Sequence, residues 1–193
     1  MLGKSALLGV IAGKNRGLLA SPTDNQAVLA AVAQLEERNP TPEPLTSDKL
    51  GGLWRLLYTT SRDLLRIDQV PLLKLGQIYQ YIEIHSATIY NIAEVYGLPY
   101  LEGTVSVAAK FEPVSQQRVN VRFERSIIGL QRLMDYRSAQ HFIAQLEAGK
   151  KFTAIDFNIT AREQKGWLEV TYLDDDLRIG RGNEGSLFVL TKG

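Results

Sequence analysis

The residues whose types and spacing best suggest chemistry lie near the carboxyl end of the chain. Residues 180–185 read Gly-Arg-Gly-Asn-Glu-Gly and match the dinucleotide-binding pattern G-x-G-x-x-G. In that fingerprint the glycines open a helix whose amino terminus binds the pyrophosphate. Here residues 186–190, Ser-Leu-Phe-Val-Leu, have strand character. The pattern therefore predicts a hairpin turn over 182–185, with glycine and asparagine supplying the positive φ angles, and no nucleotide site.

An acidic run, Asp174-Asp175-Asp176, precedes that turn. A calcium loop needs oxygen ligands at alternate positions over about 12 residues and a closing glutamate, and apolar residues interrupt the pattern here. The run is interpreted as a solvated turn, from which one aspartate pairs with Arg178 or Arg181.

The sequence gives little support for metal binding or catalysis by histidine or cysteine. His85 and His141 are the only histidines, neither has a metal-ligand neighbour at i+3 or i+4, and there is no cysteine. No nucleophile and base pattern such as G-x-S-x-G is present. The sequence therefore predicts no enzyme, no metal and no cofactor. An inward-facing buried carboxylate, with Glu83, Glu94 and Asp156 as candidates, would revive an enzymatic interpretation.

Composition indicates one ordinary globular unit. The 193 residues are 45% hydrophobic and 22% charged, with 22 basic and 21 acidic side chains. No basic tract interleaves with aromatic residues, so a nucleic-acid partner is not expected. No apolar run approaches the roughly 20 residues of a membrane-spanning helix.

A strand over 51–60 organises the chain. At period two, Trp54, Leu56 and Tyr58 share one face. The opening Gly52-Leu53-Trp54 resembles the first-strand signature of lipocalins, in which the tryptophan closes one end of a barrel and a late arginine packs on its ring. Such stacking is physically favourable.

The remaining pattern predicts a mainly β fold, a lipocalin-like antiparallel barrel of about eight strands with N-terminal helices and one inserted helix. The helix signals lie at 4–12, at 22–38 with Ser21 as cap, and between 129 and 149. Strands are expected at 51–60, 78–84, 88–95, 103–111, 117–124, 152–159, 167–172, 177–181 and 186–192.

Residues 1–44 are expected to form a helical prefix with a proline-rich linker that packs on the barrel of residues 45–193. The linker, 39–44, reads Asn-Pro-Thr-Pro-Glu-Pro. Residues 61–76 include Leu64, Leu65, Leu72 and Leu73, too apolar for an idle loop. Two interpretations stay open for this segment, a lid over the barrel mouth and a short buried helix.

Three blocks in this order are similar to the plastid lipid-associated protein family, also called plastoglobulins or fibrillins. They are residues 12–18, residues 35–61 and residues 172–190. Because the chain starts at its own Met1 without the pattern of a transit peptide, it is expected to resemble a cyanobacterial member of the family more than a plant precursor. The resemblance covers nearly the whole chain.

The resemblance implies binding of apolar molecules, namely prenylquinones, carotenoids or acyl lipids. It also implies peripheral association with thylakoid membranes on their cytoplasmic face, or with plastoglobules in a plant, and a link to a prenylquinone-synthesis enzyme. By position, the family motif falls on Gly52, Trp54, Asp174, Arg178 and Arg181. Arg178 is favoured to cover Trp54, because alternation opposes it to its apolar neighbours.

The primary hypothesis is a non-enzymatic carrier whose ligand lies in the barrel. Besides Trp54 and Arg178, the residues expected to line it are Tyr58, Tyr79, Tyr81, Tyr90, Val105, Val107, Phe123, Tyr172 and Phe188. The alternative is a coat protein, or a scaffold for a prenylquinone-synthesis enzyme, that lies on membranes through residues 2–12 or 64–75 with no bound ligand.

Overall fold

The computed structural model describes residues 2–61, 73–97, 99–160 and 165–193. Over these residues the chain forms nine strands and four α-helices. The strands are β1 (Gly52–Thr59), β2 (Lys74–Glu83), β3 (Thr88–Tyr96), β4 (Gly103–Pro113), β5 (Arg118–Leu130), β6 (Ile155–Asn158), β7 (Lys165–Leu173), β8 (Leu177–Gly182) and β9 (Leu187–Lys192). The helices are α1 (Leu2–Ile11), α2 (Pro22–Glu36), α3 (Gln131–Met134) and α4 (Ala139–Glu147).

Eight of the strands close into an antiparallel barrel. Strands β1 to β5 pair in chain order, β5 pairs with β7, and β7, β8 and β9 follow in order. Pairing of β9 with β1 closes the ring. The ninth strand, β6, pairs outside the ring with residues 125–128 of β5. The prediction of a mainly β barrel of about eight strands, with N-terminal helices and an inserted helix, is confirmed.

The barrel interior holds one apolar core, to which alternate residues of the strands contribute. Trp54 and Leu56 of β1 lie in this core with Ile78 and Ile82 of β2, and Val170 of β7 faces them. One end of the barrel, called here the base, carries the start of β1, the β2–β3 hairpin and the β7–β8 hairpin. The opposite end, called the mouth, carries the β8–β9 turn.

Helices α1 and α2 cover the outer face of β8 and β9. Leu7 of α1 and Val28 and Val32 of α2 are fully buried against Ile179 and Val189. The predicted cap of α2 is present: Ser21 accepts a hydrogen bond from the backbone N–H of Asp24, and the Asp24 carboxylate accepts one from the backbone of Ser21. Burying these apolar faces holds the helices on the barrel.

Helix α4 covers a second outer face. Phe142 and Ile143 of α4 are buried with Ile92 of β3 and Ile127 of β5. Ser138 caps this helix by accepting a hydrogen bond from the N–H of His141, and Gly149, with φ of +72°, follows its end.

Some sequence expectations differ from the structure in detail. The strand expected over 152–159 is limited to β6, residues 155–158. In the β8–β9 turn the positive φ angles fall on Glu184 and Gly185, while Asn183 accepts a hydrogen bond from the N–H of Trp167. Of the segment expected as a lid or buried helix, residues 62–72 lie outside the described residues, and Leu75 is buried in the barrel core.

Candidate ligand-binding cavity

The barrel encloses a cavity of about 470 Å³. The space lies within the range of small-molecule sites. It is bounded at the mouth by Asn183 and Glu184, which are exposed. Apolar side chains from seven of the eight barrel strands line it, namely Leu56, Ile78, Ile89, Val107, Val121, Phe123, Leu168, Val170, Phe188 and Leu190.

The base is closed by Trp54. Its indole is fully buried, and its Nε1–H donates to the backbone carbonyl of Leu50 over 2.8 Å. The Nζ of Lys192 lies 4.4 Å from the ring centroid and donates to the carbonyls of Lys49 and Gly51. The guanidinium of Arg178 lies 5.0 Å from the same centroid. Two cations therefore pack on one buried aromatic ring.

Arg178 is the charged group of the cavity wall nearest the base. It points inward because its neighbours on β8, Leu177 and Ile179, pack outward against the N-terminal helices. The side chain is 1% exposed, and its Nη2 donates to the Oε1 of Gln80.

The Arg178 guanidinium is incompletely paired. Among the described residues, its Nε and Nη1 have no hydrogen-bond partner. Burial lowers the pKa of Arg178 to about 9, so the side chain remains cationic at neutral pH. A buried polar group without a partner costs about 1–3 kcal/mol, and a charged one costs more. The cavity therefore contains a positive charge with free donors, an arrangement that can bind an acceptor or an anion.

Two amides extend this polar patch. Gln80 of β2 and Asn91 of β3 are cross-strand partners, and the Nε2 of Gln80 donates to the Oδ1 of Asn91 over 2.8 Å. Both residues line the cavity. Sequence analysis missed them, although Gln80 lies between Tyr79 and Tyr81 and Asn91 lies between Tyr90 and Ile92, so alternation would have identified both once the inner face was known.

Phe123, Phe188 and Val107 line the cavity as expected from the sequence, but the tyrosines do not point into it. The pairing of β1 with β9 shifts register between Leu56 and Tyr58. This bulge turns Tyr58 outward, where its hydroxyl donates to Asn25 of α2. A bulge between Val170 and Tyr172 likewise turns Tyr172 outward.

Tyr79, Tyr81 and Tyr90 pack in the outer cluster beneath α4, around Phe142. Tyr79 borders the cavity along its strand, while its ring lies in that outer cluster. Val105 is not part of the cavity wall. Burial, followed by the charge of Glu147, raises the pKa of Tyr81 to about 12. The expectation that these tyrosines hold a ligand head group inside the barrel is not met, because the inward face of β2 and β3 is the opposite one.

The carboxylates considered for catalysis lie away from the cavity. Glu94, 8% exposed, accepts hydrogen bonds from the hydroxyls of Tyr136 (2.8 Å) and Tyr96 (2.9 Å) on the outer face. Asp156 pairs with Arg125 at 2.5 Å, and Glu83 accepts from the N–H of His85. None of the three lines the cavity. In the described ranges, no group of three or more His, Asp or Glu is arranged to hold a metal ion.

The other charged residues of the C-terminal motif attach the N-terminal helices. Asp174 accepts hydrogen bonds from the Nζ of Lys4 and from the hydroxyl of Tyr172, each with a donor–acceptor distance of 2.8 Å. Burial alone would raise the pKa of Asp174, but these bonds lower it well below its usual range. The Nε and Nη2 of Arg181 donate to the two carboxylate oxygens of Glu36 on α2, each at a distance of 2.8 Å. The aspartate pairing expected with Arg178 or Arg181 is therefore replaced by one with Lys4.

Within the described residues, no helix is both long enough and apolar enough to cross a bilayer.

Comparison with known proteins links this arrangement to one family. A family model described as PAP_fibrillin matches residues 1–191. The chain is 33% identical over 216 residues to the chromoplast-specific carotenoid-associated protein of Cucumis sativus, covering 98% of this chain and 67% of that protein. It is 35% identical to the chloroplastic light-induced protein of Solanum tuberosum (98% and 66%), and 33% identical to the probable plastid-lipid-associated protein 2 of Arabidopsis thaliana (98% and 70%). The chain thus spans about two thirds of the length of these relatives.

Proposed function

The chain belongs to the PAP_fibrillin family, and from that premise we propose that it binds an apolar small molecule inside its barrel and carries it without catalysing a reaction. The observation that carries the proposal is the cavity of about 470 Å³, walled by apolar side chains and closed at the base by Trp54. Burial of a ligand's apolar surface in such a space drives binding.

The names of the relatives support the class of ligand. One is described as carotenoid-associated and another as plastid-lipid-associated. Carotenoids, prenylquinones and acyl lipids are accordingly the candidate ligands. The proposed location is the surface of a plastid or thylakoid membrane or of a lipid droplet, consistent with relatives described as chloroplastic or chromoplastic.

The cavity wall supports a binding role over a catalytic one. Among the described residues that line it, Glu184 is the one carboxylate, and it is exposed on the β8–β9 turn. The groups near the base are the Arg178 cation and the amides of Gln80 and Asn91, which position an acceptor and hold no general base.

Mass spectrometry of organic extracts from protein purified from native membranes tests the proposal. Val121→Phe places a larger side chain in the cavity wall, while Asn120→Phe adds the same ring at the exposed neighbouring position of β5. We expect one apolar molecule to be enriched with wild type and Asn120→Phe and depleted with Val121→Phe. Equal extracts from all three proteins and from a control protein would refute the carrier function.

A coat or scaffold function without a ligand is the second candidate. It is favoured by Leu8 on α1, 41% exposed, and by Leu19 after that helix, 67% exposed. Leu8→Glu with Leu19→Glu should abolish flotation with liposomes if these residues contact the bilayer. Retained lipid extraction in the same variant would separate the carrier function from the coat function.

A further inference from the structure

The polar patch at the base of the cavity restricts the chemistry of the ligand. A carotenoid hydrocarbon offers no acceptor and would leave the Nε and Nη1 donors of Arg178 without partners. A carboxylate offers two oxygens and one negative charge, so it can pair with either open donor through charge-assisted hydrogen bonds. Among the described residues Arg178 has no acidic partner, and burial is the cause of its lowered pKa.

The strand that carries Arg178 continues along the cavity wall from the guanidinium towards the mouth. The next two inward positions of β8 are Gly180 and Gly182, and both line the cavity. From Arg178 to Gly182 the strand rises about 13 Å, at roughly 3.3 Å per residue. At these glycines the wall is formed by neighbouring side chains: a Cβ at Gly180 would lie 3.5 Å from Leu168 Cδ1, and one at Gly182 would lie 3.1 Å from the ring of Phe188. An alkyl chain that passes these two positions would therefore contact the apolar side chains of Leu168 and Phe188.

The volume of the cavity is sufficient for a single alkyl chain. At about 30 Å³ for each group the size of a water or methylene, 470 Å³ accommodates a chain of roughly 15 carbons. A carotenoid of about 40 carbons would need more than twice that space on the same basis.

Resting on the proposed carrier function, we propose that the cavity binds a long-chain carboxylic acid, with its carboxylate on Arg178 and its alkyl chain running past Gly180 and Gly182 to the mouth. Gln80 holds the guanidinium by accepting a hydrogen bond from its Nη2, and Asn91 holds Gln80 by accepting one from its Nε2. Arg178 is thus the residue that distinguishes an acid from other single-chain lipids.

A comparison of three probes tests this specificity. Delipidated protein is titrated at neutral pH with hexadecanoic acid, hexadecan-1-ol and methyl hexadecanoate, which share one chain length and differ in the head group. We expect the acid to bind at least about tenfold more tightly than the alcohol or the ester, since hydrogen bonds to charged groups are the stronger ones.

Two variants isolate the arginine. Arg178→Met removes the charge and keeps a long apolar side chain, a change that a buried charged site commonly tolerates. We expect it to bind the acid and the alcohol about equally. Arg181→Met removes the same residue type three positions away on the outer face, and it should keep the wild-type preference.

Bromine quenching gives a readout that does not depend on the folding of Arg178→Met. The chain has two tryptophans, so Trp167→Phe leaves Trp54 as the only indole fluorophore. Because Arg178 lies 5.0 Å from that ring, 2-bromohexadecanoic acid should quench its emission more strongly than 16-bromohexadecanoic acid. The reverse order would place the carboxylate at the mouth and overturn the proposal.

The possible negative results distinguish a failure of the acid assignment from a failure of the carrier function. Equal affinity for all three probes, or an unchanged preference in Arg178→Met, overturns the assignment to Arg178 and leaves the carrier function standing. Failure of all three probes, together with a carotenoid or prenylquinone enriched in native extracts, overturns the acid only. Failure of all probes with empty native extracts refutes the carrier function itself.

Discussion

Trp54→Ala should destabilise the barrel more than any other single aromatic truncation on its strands. The indole is fully buried, and truncation of a buried Trp or Phe to Ala typically costs about 3–5 kcal/mol. The hydrogen bond to Leu50 is lost as well, worth about 1 kcal/mol. Arg178 and Lys192 also lose the ring on which both pack. The expected loss in free energy of unfolding is therefore about 4–6 kcal/mol.

Equilibrium unfolding in urea measures this loss. With a slope of about 2 kcal/mol/M, the midpoint of Trp54→Ala should fall by roughly 2–3 M. Far-UV circular dichroism is the suitable signal, because the variant keeps one tryptophan and fluorescence would not compare the same environment.

Trp167→Ala is the matched control. Trp167 is half-buried, and the guanidinium of Arg118 lies 4.3 Å from its ring. Since less apolar surface is buried there, its truncation should cost only about 1–2 kcal/mol. If Trp54→Ala costs no more than Trp167→Ala, the indole does not close the base and the reasoning is refuted.

Three further predictions concern residues outside the cavity. Glu36→Gln should weaken the partly buried pair with Arg181 by about 1 kcal/mol and raise hydrogen exchange in α2 more than in α4. The folded pKa of Asp174 is lowered, so its carboxylate stabilises the protein above the unfolded value near about 4. This contribution is lost as the pH falls through the folded value, and the difference in unfolding free energy between wild type and Asp174→Asn should shrink below about pH 4. Tyr81→Phe should leave hexadecanoate affinity within about twofold of wild type, because its ring lies outside the barrel.

Each of these has a contradicting result. Unchanged exchange in α2 would show that the ion pair does not hold the helix. A pH-independent difference for Asp174→Asn would show that the loss is steric. A large drop in affinity for Tyr81→Phe would place its hydroxyl at the ligand.

The sequence predicts the barrel because most strands alternate cleanly and the turns between them are short. It also favours Arg178 as the residue that faces Trp54, since alternation opposes it to Leu177 and Ile179. It fails at Tyr58 and Tyr172, because each follows a bulge that shifts the two-residue period by one. A single sequence contains no signal for those bulges, which depend on how neighbouring strands pair.

For a different reason, the sequence does not show which face of β2 and β3 points into the barrel. Both faces are rich in large residues, because α4 covers the outer face and makes it a second core. Tyr79, Tyr81 and Tyr90 are therefore partly buried, packed against that second core. The polar alternation of Gln80 and Asn91 looks like a solvated face, but it is the face that meets the guanidinium.

The three charged residues of the C-terminal motif, Asp174, Arg178 and Arg181, make contacts in three different parts of the structure. Asp174 lies in the β7–β8 hairpin and binds Lys4 of α1, whereas Arg181 projects outward and binds Glu36 of α2. Arg178, between them, projects inward to Trp54 and Gln80. Because β8 is bonded to β7 and β9 on both edges, a shift of this strand would disturb both helix attachments and the base of the cavity together. The spacing of the three charges follows from β8 and the hairpin that precedes it, so it reflects the fold as much as any ligand.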